Sequence, residues 1–277
     1  MRETSGAVSS IAAQEFGSDF TDLFGTRGVS LALKSAPVSG FTFGLTGSVE
    51  RQRRLSVSAT PATGEYQPTI DASALRAQTV SMLIDRPTRL GPLGVEMQLH
   101  GQGAFIRFRD SDADYRSIER GVLTVNLERP IRTTRFVARS LVVWVGGNDG
   151  IPAQFLAFAG GPSTGPGYVF HQFASHSVLS QRVEMQLPVP FASFSLGRYG
   201  RTPSSITLAP FVNGLWVDQP VSVRVFGAPP GPIANERAGF HPSAGISALT
   251  IFDLLRFDFA RGLRDGRWTF SVDVTTD

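Results

Sequence analysis

Residues 40–60 read GFTFGLTGSVERQRRLSVSAT. Odd positions carry Phe41, Phe43, Leu45, Gly47, Val49, Leu55 and Val57, while even positions carry Thr42, Gly44, Thr46, Ser48, Glu50, Gln52, Arg54, Ser56 and Ser58. Successive side chains of an extended chain point to opposite faces, so this stretch is a strand with one apolar and one polar face. It is also longer than the usual five or six residues of a soluble strand.

The same period recurs. Val80, Met82 and Ile84 share a face, and Val95, Met97 and Leu99 alternate with Glu96, Gln98 and His100. Leu123, Val125 and Leu127 alternate with Thr124, Asn126 and Glu128, and Val183, Met185 and Leu187 with Glu184 and Gln186. Trp268, Phe270, Val272 and Val274 alternate with Thr269, Ser271 and Asp273. The pattern predicts eleven strands, near 28–36, 40–60, 73–86, 93–109, 115–129, 133–147, 177–190, 206–217, 237–251, 253–263 and 267–274. Short connections are expected at Arg86-Pro87 and Arg129-Pro130, and longer polar ones at 61–72, 110–114, 148–176 and 218–236. Residues 1–27 lack the period and read as a linker or ragged start; Phe16, Phe20 and Phe24 would share a helical face, but Gly17 and Gly25 oppose it.

The apolar faces must be covered, either by a second sheet in a soluble β-sandwich or by hydrocarbon around a transmembrane barrel. A barrel strand crosses a bilayer in about 9–11 residues with only alternate positions apolar. Sandwich strands are shorter, with turns every 8–12 residues or so. The strand lengths, the polar opposite faces, the alternation of short and long connections, and 21 Phe against 4 Tyr favour an antiparallel transmembrane barrel. A soluble sandwich acting as a binding module stays open beside it.

Composition excludes other classes. The chain has 277 residues, 18% charged, with no Cys, so neither disulfides, a cysteine nucleophile nor a cysteine-ligated metal is available. Mean hydropathy of +0.01 is not that of a disordered chain. Lys34 is the sole lysine, and a net charge of +3 is too dilute for a nucleic-acid footprint, although Arg51, Arg53 and Arg54 cluster. The opening Met1-Arg2-Glu3-Thr4 is followed by no apolar stretch of the kind that makes a secretory signal.

Catalytic and metal motifs are equally thin. His100, His171, His176 and His241 form no HExxH pair, and there is no G-x-S-x-G elbow. Asp110, Asp112 and Asp114 alternate like the start of a calcium loop, but Tyr115 stands where the glycine is needed and Gly121 where the closing glutamate belongs. No catalytic residue, metal site or cofactor is expected. The uncharged segment 150–181 contains Gly160, Gly161, Gly165 and Gly167 within nine residues, which calls for a close-packed loop of unusual backbone conformation. It has neither the lysine of a P-loop nor the context of a Rossmann turn.

Phe155-Leu156-Ala157-Phe158-Ala159-Gly160-Gly161-Pro162-Ser163-Thr164-Gly165-Pro166-Gly167-Tyr168 resembles the infolded loop of the Omp85 superfamily (BamA, TamA, D15 surface antigens), in which a Gly-Gly pair precedes an Arg-Gly-Phe/Tyr tip. The following pieces keep that family's order: Glu184 with Leu187-Pro188-Val189-Pro190, Phe211-Val212-Asn213-Gly214-Leu215-Trp216, Pro242-Ser243-Ala244-Gly245-Ile246, and Leu255-Arg256-Phe257-Asp258-Phe259-Ala260. The segment from Gly266 through Trp268, Phe270 and Val272 is similar to its barrel-closing strand, without a terminal aromatic. The resemblance covers about 133–274.

The resemblance implies that 28–277 forms the last eleven strands of a sixteen-stranded barrel in a bacterial outer membrane, the parent chain carrying upstream POTRA domains. It implies insertion or translocation of polypeptide clients. In the family the loop arginine pairs with acids on the inner wall. Here Pro166 stands in the arginine's place and Asn213 in that of a wall aspartate, while Glu184 remains. Loss of both partners avoids a stranded charge, and Tyr168 and backbone contacts are then expected to hold the loop. A passive porin-like channel and a barrel anchor of a larger protein are the alternatives.

Overall fold

The computed structural model describes residues 24–54, 69–70, 72–90, 95–109, 114–147, 150–195, 197–199, 201–221, 225–226, 238–250 and 253–274. Eleven long strands form one antiparallel sheet in chain order. They are β1 (Phe24–Lys34), β2 (Thr42–Arg54), β4 (Leu75–Leu90), β5 (Val95–Arg109), β6 (Arg116–Ile131), β7 (Thr134–Gly147), β9 (Phe173–Pro190), β10 (Ser205–Pro220), β12 (Gly239–Thr250), β13 (Leu255–Gly262) and β14 (Trp268–Val274). Three short pieces complete the set. β8 (Ala157–Ala159) pairs with β9, and β3 (Thr69–Ile70) pairs with β11 (Val225–Phe226) as a separate ribbon.

Each of the eleven strands expected from the period has a counterpart among the described residues; positions 55–60 of the second and 237 and 251 of the ninth lie outside them, as do Asp110, Asp112 and most of the expected connections at 61–72 and 218–236. β1 opens at Phe24, so 24–27 is strand; Phe16, Phe20 and the remainder of 1–23 lie outside the described residues. Among the described residues β1 pairs only with β2 and β14 only with β13, so the sheet is open.

The two Arg-Pro pairs are not connections. β4 continues through Arg86 and Pro87 to Leu90, and β6 through Arg129 and Pro130 to Ile131. The register gives the reason. β2 has no residue opposite β4 beyond Asp85, and β5 has none opposite β6 beyond Glu128. Both prolines therefore sit where one side of the strand is already an edge, the place in a sheet where a missing N–H is tolerated.

The apolar faces predicted from alternation point outward and are uncovered. Val29, Leu45, Met82, Phe105, Leu127, Phe136, Val183, Val212, Phe240, Phe259 and Phe270, one from each strand in order, are exposed large hydrophobics. All three tryptophans lie on this face: Trp144, Trp216 and Trp268 are 46%, 50% and 54% exposed. A contiguous apolar surface on eleven strands far exceeds what a monomer shows to water.

The opposite face is not uniformly polar, and here the pattern departs from expectation. Toward the end of the strands bearing the long connections it carries Leu75, Ile106, Phe108, Ile118, Val143, Val145, Val178, Leu215 and Val217, all buried. These residues gain their cover from segment 150–172, which lies against them. The other end of the inner face is polar, with Asp85 Oδ1 2.6 Å from His100 Nδ1 and Arg135 Nη1 3.3 Å from Glu128 Oε2.

Candidate functional site

The glycine-rich segment folds on itself before it meets the sheet. Gly161 N donates to Tyr168 O, Gly165 N to Gly161 O and Tyr168 N to Gly165 O, each at 3.0 Å. Thr164 Oγ1 accepts from Gly160 N at 3.0 Å and donates to Gly160 O at 2.9 Å. Gly160 and Gly167 take φ of +107° and +92°, the region only glycine enters without strain. Pro166 is buried within this turn.

The segment spans the inner side from one end of the sheet to the other. Gln154 Nε2 donates to Gln52 Oε1 on β2 at 3.1 Å, and Phe155 meets Phe108 of β5 with ring centroids 5.5 Å apart. At the far end Gly167 N donates to Thr269 Oγ1 on β14 at 2.9 Å, and Tyr168 Oη to Pro242 O on β12 at 2.8 Å. Tyr168 is 1% exposed and packs edge-on against Phe173 and His241. One short segment reaches both β2 and β14 only if the sheet curls around it.

Below the segment lies a closed ring of charge. Arg182 Nε is 3.1 Å from Glu184 Oε2, and Arg182 Nη1 is 3.3 Å from Asp258 Oδ2. Arg256 Nη2 is 2.6 Å from Glu184 Oε2, and Arg256 Nε is 2.9 Å from Asp258 Oδ1. Both guanidinium groups donate to Ser247 Oγ, at 2.9 and 2.8 Å, and Gln186 Nε2 donates to Glu184 Oε1 at 2.6 Å. Arg182 also lies 3.7 Å above the centre of the Phe211 ring. No side chain of the four is more than 7% exposed. Two cations and two anions alternate, so each buried charge has an opposite partner on either side, the arrangement that offsets desolvation.

The structure thus places Glu184 at the centre of the inner wall, paired with arginines from the wall itself. Arg182 Nη1 is 3.5 Å from the carbonyl of Pro162, the link between ring and loop. Asn213 sits beside the ring on β10, its Oδ1 accepting from Ser180 Oγ at 3.3 Å. Trp268, Phe270 and Val272, expected in a closing strand, face outward on β14, away from the loop, and Gly266 (φ +67°) makes the turn before them. The sequence alone points to neither Arg182 nor Ser247, and it offers Arg256 and Asp258 only as part of the strand motif 255–260, with no partner for either. The signal was present as Arg-x-Glu and Arg-x-Asp at period two, which places each pair on one face.

Among the described residues no group of three metal-ligating side chains occurs. His171, at the end of the glycine segment, is 3% exposed between the rings of Phe170 and Phe158, with centroids 3.7 and 4.6 Å away. Burial pushes its pKa down to about 3. The unfolded chain therefore binds a proton near pH 6.5 that the folded one refuses until about pH 3. Stability from this group is complete above pH 6.5 and declines as pH falls toward 3, by up to about 1.4 kcal/mol per unit. Protease access to 155–172 is expected to rise between pH 7 and 4.5, and His171→Phe should flatten that dependence. An unchanged pH profile in the variant would assign it to another group.

No family profile and no curated protein matches the sequence. Among solved structures the chain is similar to CdiB from Acinetobacter baumannii, with TM-score 0.41 and 12% identity over 91% of this chain and 50% of that one. It is similar also to BamA from Haemophilus ducreyi lacking POTRA domains 1–3, with TM-score 0.42 and 12% identity over 90% of this chain and 62% of that one. The chain spans half of the first and less than two thirds of the second.

Proposed function

We propose that this chain is the C-terminal part, 28–277 with β1 included, of an Omp85-type β-barrel of a bacterial outer membrane, serving the insertion or translocation of polypeptides. The carrying observation is the continuous apolar outer face of the sheet, which has no facing layer among the described residues. Hydrocarbon covers such a face without cost, and water does not. The loop that resembles the family's, packed against the inner wall, supports the assignment over a passive porin-like channel, because it occupies the end of the lumen at the long connections.

The open edges support the role. Among the described residues β14 presents a row of unpaired backbone groups, a template onto which an extended polypeptide adds as a strand, whereas the edge of β1 is where the remaining strands of the parent join. In the parent protein the remaining five strands complete the wall and upstream POTRA domains deliver clients. The lipid of the outer membrane and unfolded polypeptides are the partners of this reading.

The three outward tryptophans provide the test. Refolded into bilayers whose acyl chains carry bromine, the chain should lose most of its tryptophan emission relative to unbrominated bilayers, since Trp144, Trp216 and Trp268 all face the lipid. Emission indifferent to bromine would remove the barrel reading. Proteoliposomes should then speed the integration of a urea-unfolded small barrel protein over empty liposomes. Steady ion conductance without such acceleration would favour the channel.

A further inference from the structure

The register lines up four arginines on the outer face. Arg27 on β1 is opposite Arg51 on β2, Arg51 is opposite Arg76 on β4, and Arg76 is opposite Arg109 on β5. Neighbouring strands lie about 4.8 Å apart, so the row sets four cations across roughly 14 Å. Arg53 and Arg107 adjoin it, two positions along β2 and β5. None of the six forms an ion pair among the described residues. Arg107 and Arg109 rest on the face of Tyr115, 4.3 and 4.8 Å from its centre. Glu119 is the carboxylate that β6 adds to this face; it stands opposite Phe105 and is bonded to none of the arginines.

Like charges placed directly opposite on a sheet are destabilising. A row of four persists without cost only where something anionic lies against it. Position identifies that partner. The row is at the long-connection end, and the same face continues along the strands into Val29, Val49 and Val80, then Leu31, Leu45 and Met82. Arginine stems lie along apolar surface and carry the guanidinium toward the polar layer. A ligand that touches both the row and the apolar band has an anionic head and acyl tails.

We infer that the outer face of β1, β2, β4 and β5 is a binding surface for the phosphate groups of anionic lipid in the headgroup layer on the long-connection side. Planar guanidinium groups suit this, because each can give two parallel hydrogen bonds to one phosphate. The inference rests on the barrel reading, and its test separates the two.

The probe is diacyl phosphatidic acid, doped into nonionic detergent micelles holding the full chain, with retained lipid counted by native mass spectrometry. The wild type should keep phosphatidic acid adducts and no comparable phosphatidylcholine adducts. The double variant Arg51→Gln/Arg76→Gln should retain roughly thirtyfold less, the scale expected when two arginines leave an anionic headgroup layer. Without anionic lipid the variant should fold at least as well as the wild type, because repulsion has been removed. Arg51→Lys/Arg76→Lys, which keeps the charge, should retain an intermediate amount. Equal retention by wild type and Gln variant, with bromine quenching intact, overturns the lipid surface and leaves the barrel standing. Full displacement by millimolar inorganic phosphate overturns the lipid as occupant in favour of the free ion. A Gln variant that unfolds in neutral detergent shows that the row is not under repulsion, and also overturns the inference. Loss of quenching in the wild type itself removes the barrel first.

Discussion

Arg256→Met should destabilise the folded chain by about 3–5 kcal/mol, the cost typical of stranding one member of a buried ion pair. Arg256 donates to both oxygens of Glu184, at 2.6 and 3.3 Å, and to Asp258 at 2.9 Å. Its removal leaves two carboxylates around the single cation Arg182, in a site where Glu184 is 1% and Asp258 3% exposed. Replacing all four charged residues together by apolar residues of similar volume should cost far less than the single change, since no charge remains to be desolvated. The measurement is the urea midpoint of tryptophan emission in neutral detergent. Should the quadruple variant lose more than the single one, charge balance is not what holds the wall, and the ring's hydrogen bonds to Ser247 and Gln186 would carry it instead.

The ring also revises the reasoning from co-loss. The sequence shows Pro166 and Asn213 where the resemblance has an arginine and an aspartate, which suggested a wall with one residual acid. The structure supplies the cation from the wall: Arg182 and Arg256 occupy inward positions of β9 and β13, and Asp258 accompanies Glu184. Contacts between residues 72 and 76 positions apart depend on register, which a single sequence does not state. The strands themselves were legible because period two needs no partner. Their inner apolar end was not, because alternation vanishes where the inward positions are apolar as well as the outward ones: Leu141 to Val145 reads as a continuous run, and Arg107 between Ile106 and Phe108 masks the inward pair on β5. The arginine row had a visible trace at Arg51, Arg53 and Arg54, but its extent across four strands is again a matter of register.

Gly167→Ala and Gly262→Ala should each lift the loop from β13, at about 2–5 kcal/mol for the first, adding a left-handed backbone forced on a non-glycine residue to overpacking. A β-carbon at Gly167, whose φ is +92°, would stand 2.5 Å from Gly262 N and 2.7 Å from Arg261 C. A β-carbon at Gly262 would stand 2.7 Å from Gly167 O and 3.1 Å from the Tyr168 ring. The obstacles are mainly backbone, so no side chain can swing aside, and the segment must part from the strand. Parting breaks the bonds from Gly167 N to Thr269 and from Tyr168 Oη to Pro242, which tie the segment to the last strands. Tyr168→Phe removes only the second of these, and about 1 kcal/mol is expected. Gly103→Ala, where a β-carbon meets nothing within 4 Å, serves as the control. Because both glycines guard one contact, the double variant should cost little more than the worse single one. Protease cleavage within 160–168 reads the outcome: additive losses, or a control as damaging as Gly167→Ala, would show that the loop is held elsewhere than at this glycine-on-glycine seam.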